Sequence, residues 1–466
     1  MKKIVLLLLC CTSLLAAQTV FDDFFTDRTM RFDYYHTGTA DAEFISPDEI
    51  VLEGPWSGSQ NNLIDTLNCG NYLVKIFDLK TNRMIYSFGY STIFGEYQTT
   101  LDAKNGMTAT YHESVRFPVP RKPVQLTLAV RNRQNLFTDI YTTTIDPGSR
   151  QVNREEIKPV YNIDKYMING EPKNKVDLVI VGDGYTKDEI AKYHKDIDRY
   201  LGDFFSHDPF KSRKKDFNIW VIDVISQDSG IDEPTKNAWR HTTLNCSYNS
   251  LGSPRYVLTS DNKTLRTITA SVPYDQIYIL VNSTRYGGGG IYNWFSTSFT
   301  GEAPGKPGWW SDYVFVHEFG HAFAGLADEY YTSSTSYDEF YAPGIEPWEP
   351  NVTRMFDPKH VKWGQFIKAG TPIPTPWEKA AYDSLGAILQ SELRDSPEYI
   401  ATEVEMRKVI NNSAWQGVTG CFEGGGYCAT GVYRPCLDCR MFSKSLVDFC
   451  TVCQDAISRV IDFRTQ

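Results

Sequence analysis

The feature that most constrains the fold is a change in hydrophobic periodicity along the chain. From Gln18 to about Pro159, segments such as YLVKIFDL, RMIYSFGYS and VQLTLAVRN alternate apolar and polar residues and are separated by Asn, Gly, Asp and Pro. A period of two with frequent turn residues predicts antiparallel strands. Residues 18–159 are therefore expected to form an all-β, sandwich-like or barrel-like domain, in which no residue points to chemistry.

A polar stretch from Val160 to Lys175 separates this pattern from a different one. The segments VDLVIVGDGYT, FNIWVIDVIS and YDQIYILVNS are apolar runs typical of buried strands, whereas KDEIAKYHKDIDRYLGDFFSHDPF has helical periodicity. Strands that alternate with helices indicate a layered α/β or α+β domain, which is expected over residues 160–466. The run Gly287–Gly290 lacks the features of a phosphate-binding loop and is interpreted as a flexible loop after a strand.

The N-terminal residues MKKIVLLLLCCTSLLAAQ have the order of a secretory signal peptide. Two lysines precede an apolar run from Ile4 to Leu15, which is too short to span a bilayer, and small residues follow up to Ala17. Residues 1–17 are expected to be removed on export to the periplasm, cell surface or medium. A lipid anchor on a cysteine of this segment is the alternative, but Leu9 stands where a small residue would be expected.

The charge of the chain excludes one class of partner. With 47 Lys and Arg against 57 Asp and Glu, the net charge is -10. It offers no basic surface for nucleic acid and is interpreted as ordinary solubility. No later segment has the uninterrupted apolar length of a transmembrane helix.

Cysteines are concentrated near the C-terminus. Eight follow the signal segment, and six of these lie at the end of the chain: Cys421, Cys428, Cys436, Cys439, Cys450 and Cys453. The last four form two C-x-x-C pairs. In an oxidising compartment disulfides are favoured, and a structural zinc ribbon is the alternative. The sequence does not determine the pairing.

The segment VHEFGHAFAGLADEYY, Val316–Tyr331, carries the candidate chemistry. Ser311 is expected as the N-cap of a helix, with Asp312 near the positive end of its dipole. The helix is expected to run to Ala324 and to end at Gly325.

Within this helix, His317 and His321 lie one turn apart on one face, so their imidazoles converge as two ligands of Zn²⁺ do. Glu318 faces the open side of the ion, where it can accept a proton from a zinc-bound water. Catalytic zinc needs a third protein ligand, for which Asp328 and Glu329 are the candidates. The alternative for the whole segment is an amphipathic helix with solvated histidines.

Several motifs in order resemble the IgA-peptidase family of secreted bacterial zinc metallopeptidases. Besides HEFGHAFAGLADEYY, they are EPNVT at Glu349–Thr353, KWGQFI at Lys362–Ile367 and FEGGGYCATGVYRPCLDCRM at Phe422–Met441. The resemblance covers roughly Lys175 to the C-terminus, and the β-rich part resembles the domain that precedes the peptidase in bacterial members. It implies an α+β, metzincin-like zinc peptidase domain preceded by an all-β, sandwich-like domain.

The metzincin zinc helix reads His-Glu-x-x-His-x-x-Gly-x-x-His/Asp. By resemblance, the matching residues are the ligands His317 and His321, the general base Glu318, the glycine Gly325, the third ligand Asp328 and the turn methionine Met441. Three residues instead of two separate His321 from Gly325 here. This departure leaves Glu329 open as the third ligand, or as a residue that orients a ligand histidine.

Two tyrosines of the last motif, Tyr427 and Tyr433, could donate a hydrogen bond to the oxyanion of a tetrahedral intermediate. Packing in the core is the other role for each. His194, His207 and His360 lack ligand spacing and are expected to be ordinary surface or packed histidines.

Together these residues predict a secreted zinc endopeptidase that hydrolyses peptide bonds through a metal-activated water, with Glu318 as general base. Its substrates are expected to be host or extracellular proteins or peptides, and the family resemblance implies immunoglobulin A as one candidate. An extended substrate would pair with an edge strand, for which QIYILVN is the candidate. Two other functions stay open: a non-catalytic adhesin or glycan-binding protein with a structural zinc site, and a zinc amidase that acts on cell-wall peptides.

Overall fold

A computed structural model describes residues 19–301, 309–331, 341, 344–392, 396–443 and 447–466. The predicted signal peptide, residues 1–17, lies outside the described residues. Across the described ranges, no helix combines the length and the apolar character that a bilayer-spanning helix requires.

Two four-stranded sheets and three short helices make up the first part of the described chain. The elements are α1 Phe21–Phe24, β1 Phe25–Gly38, β2 Glu43–Leu52, β3 Tyr72–Asp78, β4 Arg83–Tyr90, α2 Ile93–Tyr97, α3 Leu101–Lys104, β5 Ala109–Pro120, β6 Val124–Arg131, β7 Phe137–Ile145 and β8 Val152–Asn153. The strand orders are β5-β1-β2-β8 and β4-β3-β6-β7. Neighbouring strands pair antiparallel, except for the parallel pair β2 and β8.

These two sheets share a hydrophobic core. The hydroxyl of Tyr34 on β1 lies 3.1 Å from that of Tyr90 on β4, and the Phe32 ring stacks on Tyr141 of β7 with centroids 6.1 Å apart. Because a strand turns alternate side chains to opposite faces, this packing produces the period of two seen in the sequence. The prediction of antiparallel strands in this part of the chain is confirmed.

A six-stranded mixed sheet, two small hairpin-like pairs and several helices make up the rest. The elements are β9 Ile163–Met167, β10 Val176–Asp183, α4 Ile190–Phe204, β11 Phe217–Ile222, β12 Cys246–Ser247, β13 Leu258–Thr259, α5 Asn262–Thr269, β14 Gln276–Val281, β15 Gly288–Ile291, β16 Phe295–Phe299, α6 Trp309–Ala324, α7 Lys379–Ser391, α8 Pro397–Asn411, β17 Phe422–Gly425, β18 Cys428–Arg434 and α9 Thr451–Thr465. The large sheet has the order β15-β16-β14-β10-β11-β9, with a parallel centre and antiparallel edge strands. Mixed sheets and helices agree with an α+β class.

Both faces of this sheet are buried. Leu178 and Ile180 of β10 pack in a core with α4, α6 and α9, whereas Val179 and Val181 belong to the core that includes the first two sheets. Strands covered on both faces read as continuous apolar runs. This burial explains why β10, β11 and β14 are recognisable in the sequence.

Two expectations for this sheet are wrong. Strand β14, which contains most of QIYILVN, lies between β16 and β10, so it is not an edge strand for a substrate. Residues Gly288–Ile291 form the edge strand β15 instead of a flexible loop. A Cβ at Gly290 would lie 2.3 Å from the carbonyl oxygen of Glu318, so the glycines are needed for close contact between β15 and α6.

Candidate metal centre

Helix α6 carries the two candidate histidines and lies against β15 and β16. Within the described residues it begins at Trp309, so the prediction of Ser311 as N-cap is wrong. The Ser311 hydroxyl lies in the first turn and accepts a hydrogen bond from Arg199 at 3.2 Å. The helix ends at Ala324 as expected, and Gly325 follows with a φ of 61°, a conformation that favours glycine.

Three donor atoms from His317, His321 and Asp328 meet at one point. The Nε2 atoms of the histidines lie 3.1 Å apart, and Oδ1 of Asp328 lies 3.0 Å and 3.3 Å from them. Nitrogen and oxygen ligands about 2.0–2.1 Å from a tetrahedral zinc ion lie roughly 3.3 Å from one another. The three atoms therefore have the mutual spacing of ligands to a single cation.

The second ring nitrogen of each histidine is fixed by a backbone carbonyl. Nδ1 of His317 donates to the carbonyl of Arg440 at 3.1 Å, and Nδ1 of His321 donates to that of Leu326 at 2.6 Å. This arrangement leaves the Nε2 lone pairs directed at each other and at Oδ1 of Asp328, which receives no hydrogen bond from the described residues. Because three lone-pair atoms in contact repel one another, the group fits a metal ion.

The pKa values of His321 and Asp328 also indicate that a positive charge is favoured between these side chains. Burial lowers the pKa of His321, but the carboxylate of Asp328 outweighs burial and raises the pKa to about 9. Burial raises the pKa of Asp328, yet the histidines hold that pKa well below its usual range. Both shifts show that the Asp328 carboxylate favours a positive charge beside it, which a bound cation would supply.

The loop after α6 directs its two acidic residues to different places. Asp328 faces the histidines, whereas Oε1 of Glu329 lies 3.2 Å from Sγ of Cys453. Asn351, from the EPNVT motif, fixes this loop. Its side-chain oxygen accepts from the amide of Ala327 at 2.7 Å, and its amide donates to the Ala327 carbonyl at 2.9 Å and to Glu329 at 3.0 Å. The structure therefore brings Asp328, and not Glu329, to the two histidines.

Of the two tyrosines singled out from the sequence, Tyr427 contacts the candidate ligands. It lies in the turn between β17 and β18, and its hydroxyl donates to Oδ2 of Asp328. The amide of the adjacent Gly426 donates to the Asp328 carbonyl at 2.8 Å. Tyr433 instead pairs through its backbone with Thr353 and does not line the cleft in front of the histidines.

Met441 packs against helix α6 beside His321. Its side chain is buried, and its Sδ would lie 3.1 Å from a Cβ placed on Gly320, the residue before His321. The Met441 carbonyl accepts from the amide of Glu329 at 2.8 Å. Met441 therefore contacts both α6 and the loop that carries Asp328.

Glu318 lines a cleft of about 900 Å³ together with the three candidate ligands. Burial raises the pKa of its carboxyl, and the charges of His317 and His321 partly oppose this shift. A carboxyl group with a raised pKa can accept and return a proton near neutral pH.

Three residues close to the candidate ligands are not predicted from the sequence: Tyr313, Arg255 and Tyr330. The hydroxyl of Tyr313 lies 3.1 Å from Nδ1 of His317, and its position one helical turn earlier is a signal that could have found it. Arg255 donates to the hydroxyl of Tyr330 at 3.4 Å, and both residues line the cleft. Arg255 comes from a loop distant in sequence, where no pattern marks it.

The histidines without ligand spacing each contact an aspartate, as expected of ordinary histidines. The pairs are His194 with Asp223 at 2.9 Å, His207 with Asp448 at 2.5 Å and His360 with Asp357 at 2.5 Å.

The cysteines form a second group of possible ligands. The eight cysteines in the described part of the chain are free thiols, contrary to the expectation of disulfides. Glu329, Cys439, Cys450 and Cys453 place one donor atom each within 4.8 Å of the others.

Comparisons with known families agree with this geometry. The family described as IgA Peptidase M64 matches residues 166–461, and the one described as Peptidase M64 N-terminus matches residues 20–142. A search of curated proteins gives no match. The two matches follow each other in the order of the two parts of the structure and cover nearly the whole chain. The chain is therefore a peptidase that belongs to the IgA peptidase M64 family.

Proposed function

We propose that the protein is an exported zinc endopeptidase that cleaves extracellular proteins. In this proposal His317, His321 and Asp328 are the metal ligands, and Glu318 is the general base. The observation that carries it is the convergence of three lone-pair atoms at ligand spacing, with both imidazoles oriented by carbonyls. Family membership supports peptide hydrolysis as the reaction.

The donor set supports zinc as the metal. Two imidazoles and a carboxylate suit a borderline divalent cation, and three protein ligands are the usual number in a catalytic zinc site. When bound, zinc would polarise the scissile carbonyl and lower the pKa of a water molecule. Glu318 would accept a proton from the attacking water and return it to the leaving amine. Tyr427 keeps the Asp328 carboxylate in place through its hydrogen bond to Oδ2.

The cleft supports an extended protein substrate. Its lining combines Asn71, Glu96 and Arg131 from the first part of the chain with Glu318 and Tyr330 from the second. A substrate would therefore contact both parts while its scissile bond lies at the candidate ligands. Immunoglobulin A, which the family description names, is one candidate substrate.

Three finer assignments belong to the same proposal. Residues 1–17 act as the export signal, on the basis of their sequence pattern. Residues 18–159 form a β-sandwich domain, supported by the core that the two four-stranded sheets share. Residues 160–466 form a metzincin-like peptidase domain, supported by helix α6 and by the contact of Met441 with Gly320 of this helix.

The test replaces Glu318 with Gln. We expect cleavage of a mixture of unfolded proteins to fall by about 10²–10⁴-fold, because the general base is lost, while the metal content stays unchanged. Glu171→Gln, on an exposed residue, is the matched control and should cleave at the wild-type rate. Products are identified by mass spectrometry, with immunoglobulin A and cell-wall peptides as separate substrates.

Wild-type rates in Glu318→Gln would exclude Glu318 as the base. Hydrolysis confined to cell-wall peptides would favour an amidase instead of an endopeptidase.

A further inference from the structure

Behind the loop that carries Asp328, a second group of donor atoms meets in the interior. It consists of a carboxylate oxygen of Glu329 and the sulfurs of Cys439, Cys450 and Cys453, all within 4.8 Å of one another. The sulfurs of Cys439 and Cys453 lie 3.8 Å apart. Thiolates about 2.3 Å from a tetrahedral zinc ion lie roughly 3.8 Å from each other. The sulfurs of a disulfide are only about 2.05 Å apart, so this spacing fits metal ligands and does not fit a disulfide.

The carboxyl group of Glu329 gives an independent reason to place a cation here. Glu329 is 0% exposed, and its Oε1 lies 3.2 Å from Sγ of Cys453. Oε2 receives no hydrogen bond from the described residues. A buried carboxyl group without full hydrogen bonding costs free energy whether it is charged or neutral. A divalent cation between the carboxylate and the thiols would remove that cost, whereas a disulfide would not.

The chain segments that supply these donors also fit a structural metal site. Cys439 closes the first C-x-x-C pair, and Cys450 and Cys453 form the second, at the start of α9. The amide of Cys450 donates to Sγ of Cys439 at 3.3 Å, a contact typical of the hydrogen bonds around bound thiolates. Two C-x-x-C pairs are a common source of ligands for structural zinc, and here three of their four cysteines belong to the group.

We propose that Glu329, Cys439, Cys450 and Cys453 bind a second zinc ion, in a closed structural site. With four protein ligands and no place for substrate, this ion takes no part in hydrolysis. It connects three segments: the loop that carries Asp328, the Met441 turn and the first turn of α9. Because Asp328 and Glu329 are adjacent, fixing one carboxylate also fixes the backbone of the other.

Metal analysis of the full-length chain tests this proposal. Cys453→Ser should bind one zinc ion fewer than the wild type, and Glu318→Gln should bind as many as the wild type. Cys246→Ser removes a buried cysteine from β12, outside the group, and should keep both ions. In the cobalt-substituted wild type, thiolate ligands should give an intense near-ultraviolet charge-transfer band, which Cys453→Ser should weaken strongly.

The His317→Ala variant separates the two sites. It should lose the other metal ion and the peptidase activity, and it should keep the thiolate-to-cobalt band. If Cys453→Ser does not fold, the wild-type cobalt spectrum decides, because the imidazole and carboxylate ligands of the first site do not give that band. A wild type without this band, in which mass spectrometry finds these cysteines joined as disulfides, would overturn the proposal.

Discussion

Tyr427 forms a hydrogen bond with the carboxylate of Asp328. The tyrosine hydroxyl binds Oδ2, and the other oxygen, Oδ1, lies 3.0 Å from His317 and 3.3 Å from His321. A hydrogen bond to a ligand carboxylate restricts its rotation and typically contributes about ten- to a hundredfold in metal affinity.

We therefore expect Tyr427→Phe to weaken zinc binding at this site by about ten- to a hundredfold. The kcat at saturating zinc should change by less than about tenfold, because the phenol acts on the ligand and not on the reacting bond. Chelator competition measures the affinity, and steady-state kinetics measure kcat. Tyr433→Phe, outside the cleft, is the control. A large fall in kcat with unchanged zinc affinity would instead identify Tyr427 as a donor to the oxyanion.

At the scale of residues, the types of the reactive side chains are predictable from the sequence, but their directions are not. The spacing of His317 and His321 on a helix predicts their convergence, and the structure brings both together with Asp328. Spacing alone could not rank Asp328 against Glu329, since they differ by one position. Their directions depend on Asn351 and on the β17–β18 turn, which come from distant parts of the sequence.

Among the elements, strand β15 lies in close contact with α6, the helix that carries His317, Glu318 and His321. Strand β15 approaches so closely that a Cβ at Gly290 would lie 2.3 Å from the Glu318 carbonyl oxygen and 3.0 Å from Cβ of His321. The carbonyl oxygen of Glu318 belongs to the helix backbone, so it cannot move aside as the end of a flexible side chain could. A larger residue must therefore shift the strand or the helix.

Gly290→Ala should lower the free energy of unfolding by about 1–3 kcal/mol through overpacking. It should also reduce kcat/KM by about a hundredfold, because a shift of α6 of about 1 Å misplaces Glu318 and His321. Urea denaturation and peptidase assays measure the two effects.

Gly202→Ala is the matched control for this substitution. Gly202 lies in α4, is exposed, and has no atom within 4 Å of the position that an added Cβ would take. Its replacement should leave activity unchanged and raise stability by up to about 1 kcal/mol, from helix propensity. Equal behaviour of the two variants would show that β15 does not position α6.

The elements that the sequence predicts best are those whose burial pattern is uniform. Strands β10, β11 and β14 are apolar throughout because both faces are covered, and α4 keeps a helical period because only one face is. Strand β15 is not predicted from the sequence. Its glycines are required by close packing against α6, and a run of glycines has no apolar pattern. The order of strands in the sheet is also beyond local pattern, so QIYILVN could not be recognised as central.

In the whole molecule, the two parts of the chain meet through buried polar contacts. The guanidinium of Arg116 binds Glu53 at 2.9 Å and the carbonyl of Tyr274 at 2.8 Å, and it lies 3.6 Å from the centre of the Tyr274 ring. Ser57 donates to the same carbonyl at 2.6 Å. The first part also contributes to the core that covers one face of the six-stranded sheet.

We expect the full-length protein to unfold in a single calorimetric transition, because separation would expose this shared core. Arg116→Ala should lower the Tm by several degrees, since it leaves the buried Glu53 carboxylate without one of its partners. Arg150→Ala, on an exposed arginine, should leave the Tm unchanged. Two well-separated transitions in the wild type would show that the two parts are energetically independent.

The most direct test of the proposed catalytic metal site is anomalous X-ray diffraction at the zinc absorption edge from zinc-replete crystals of Glu318→Gln. The proposed ligand set predicts an anomalous peak about 2.0–2.2 Å from Nε2 of His317, Nε2 of His321 and Oδ1 of Asp328. The absence of a peak there, with the three side chains in direct contact with one another, would contradict it.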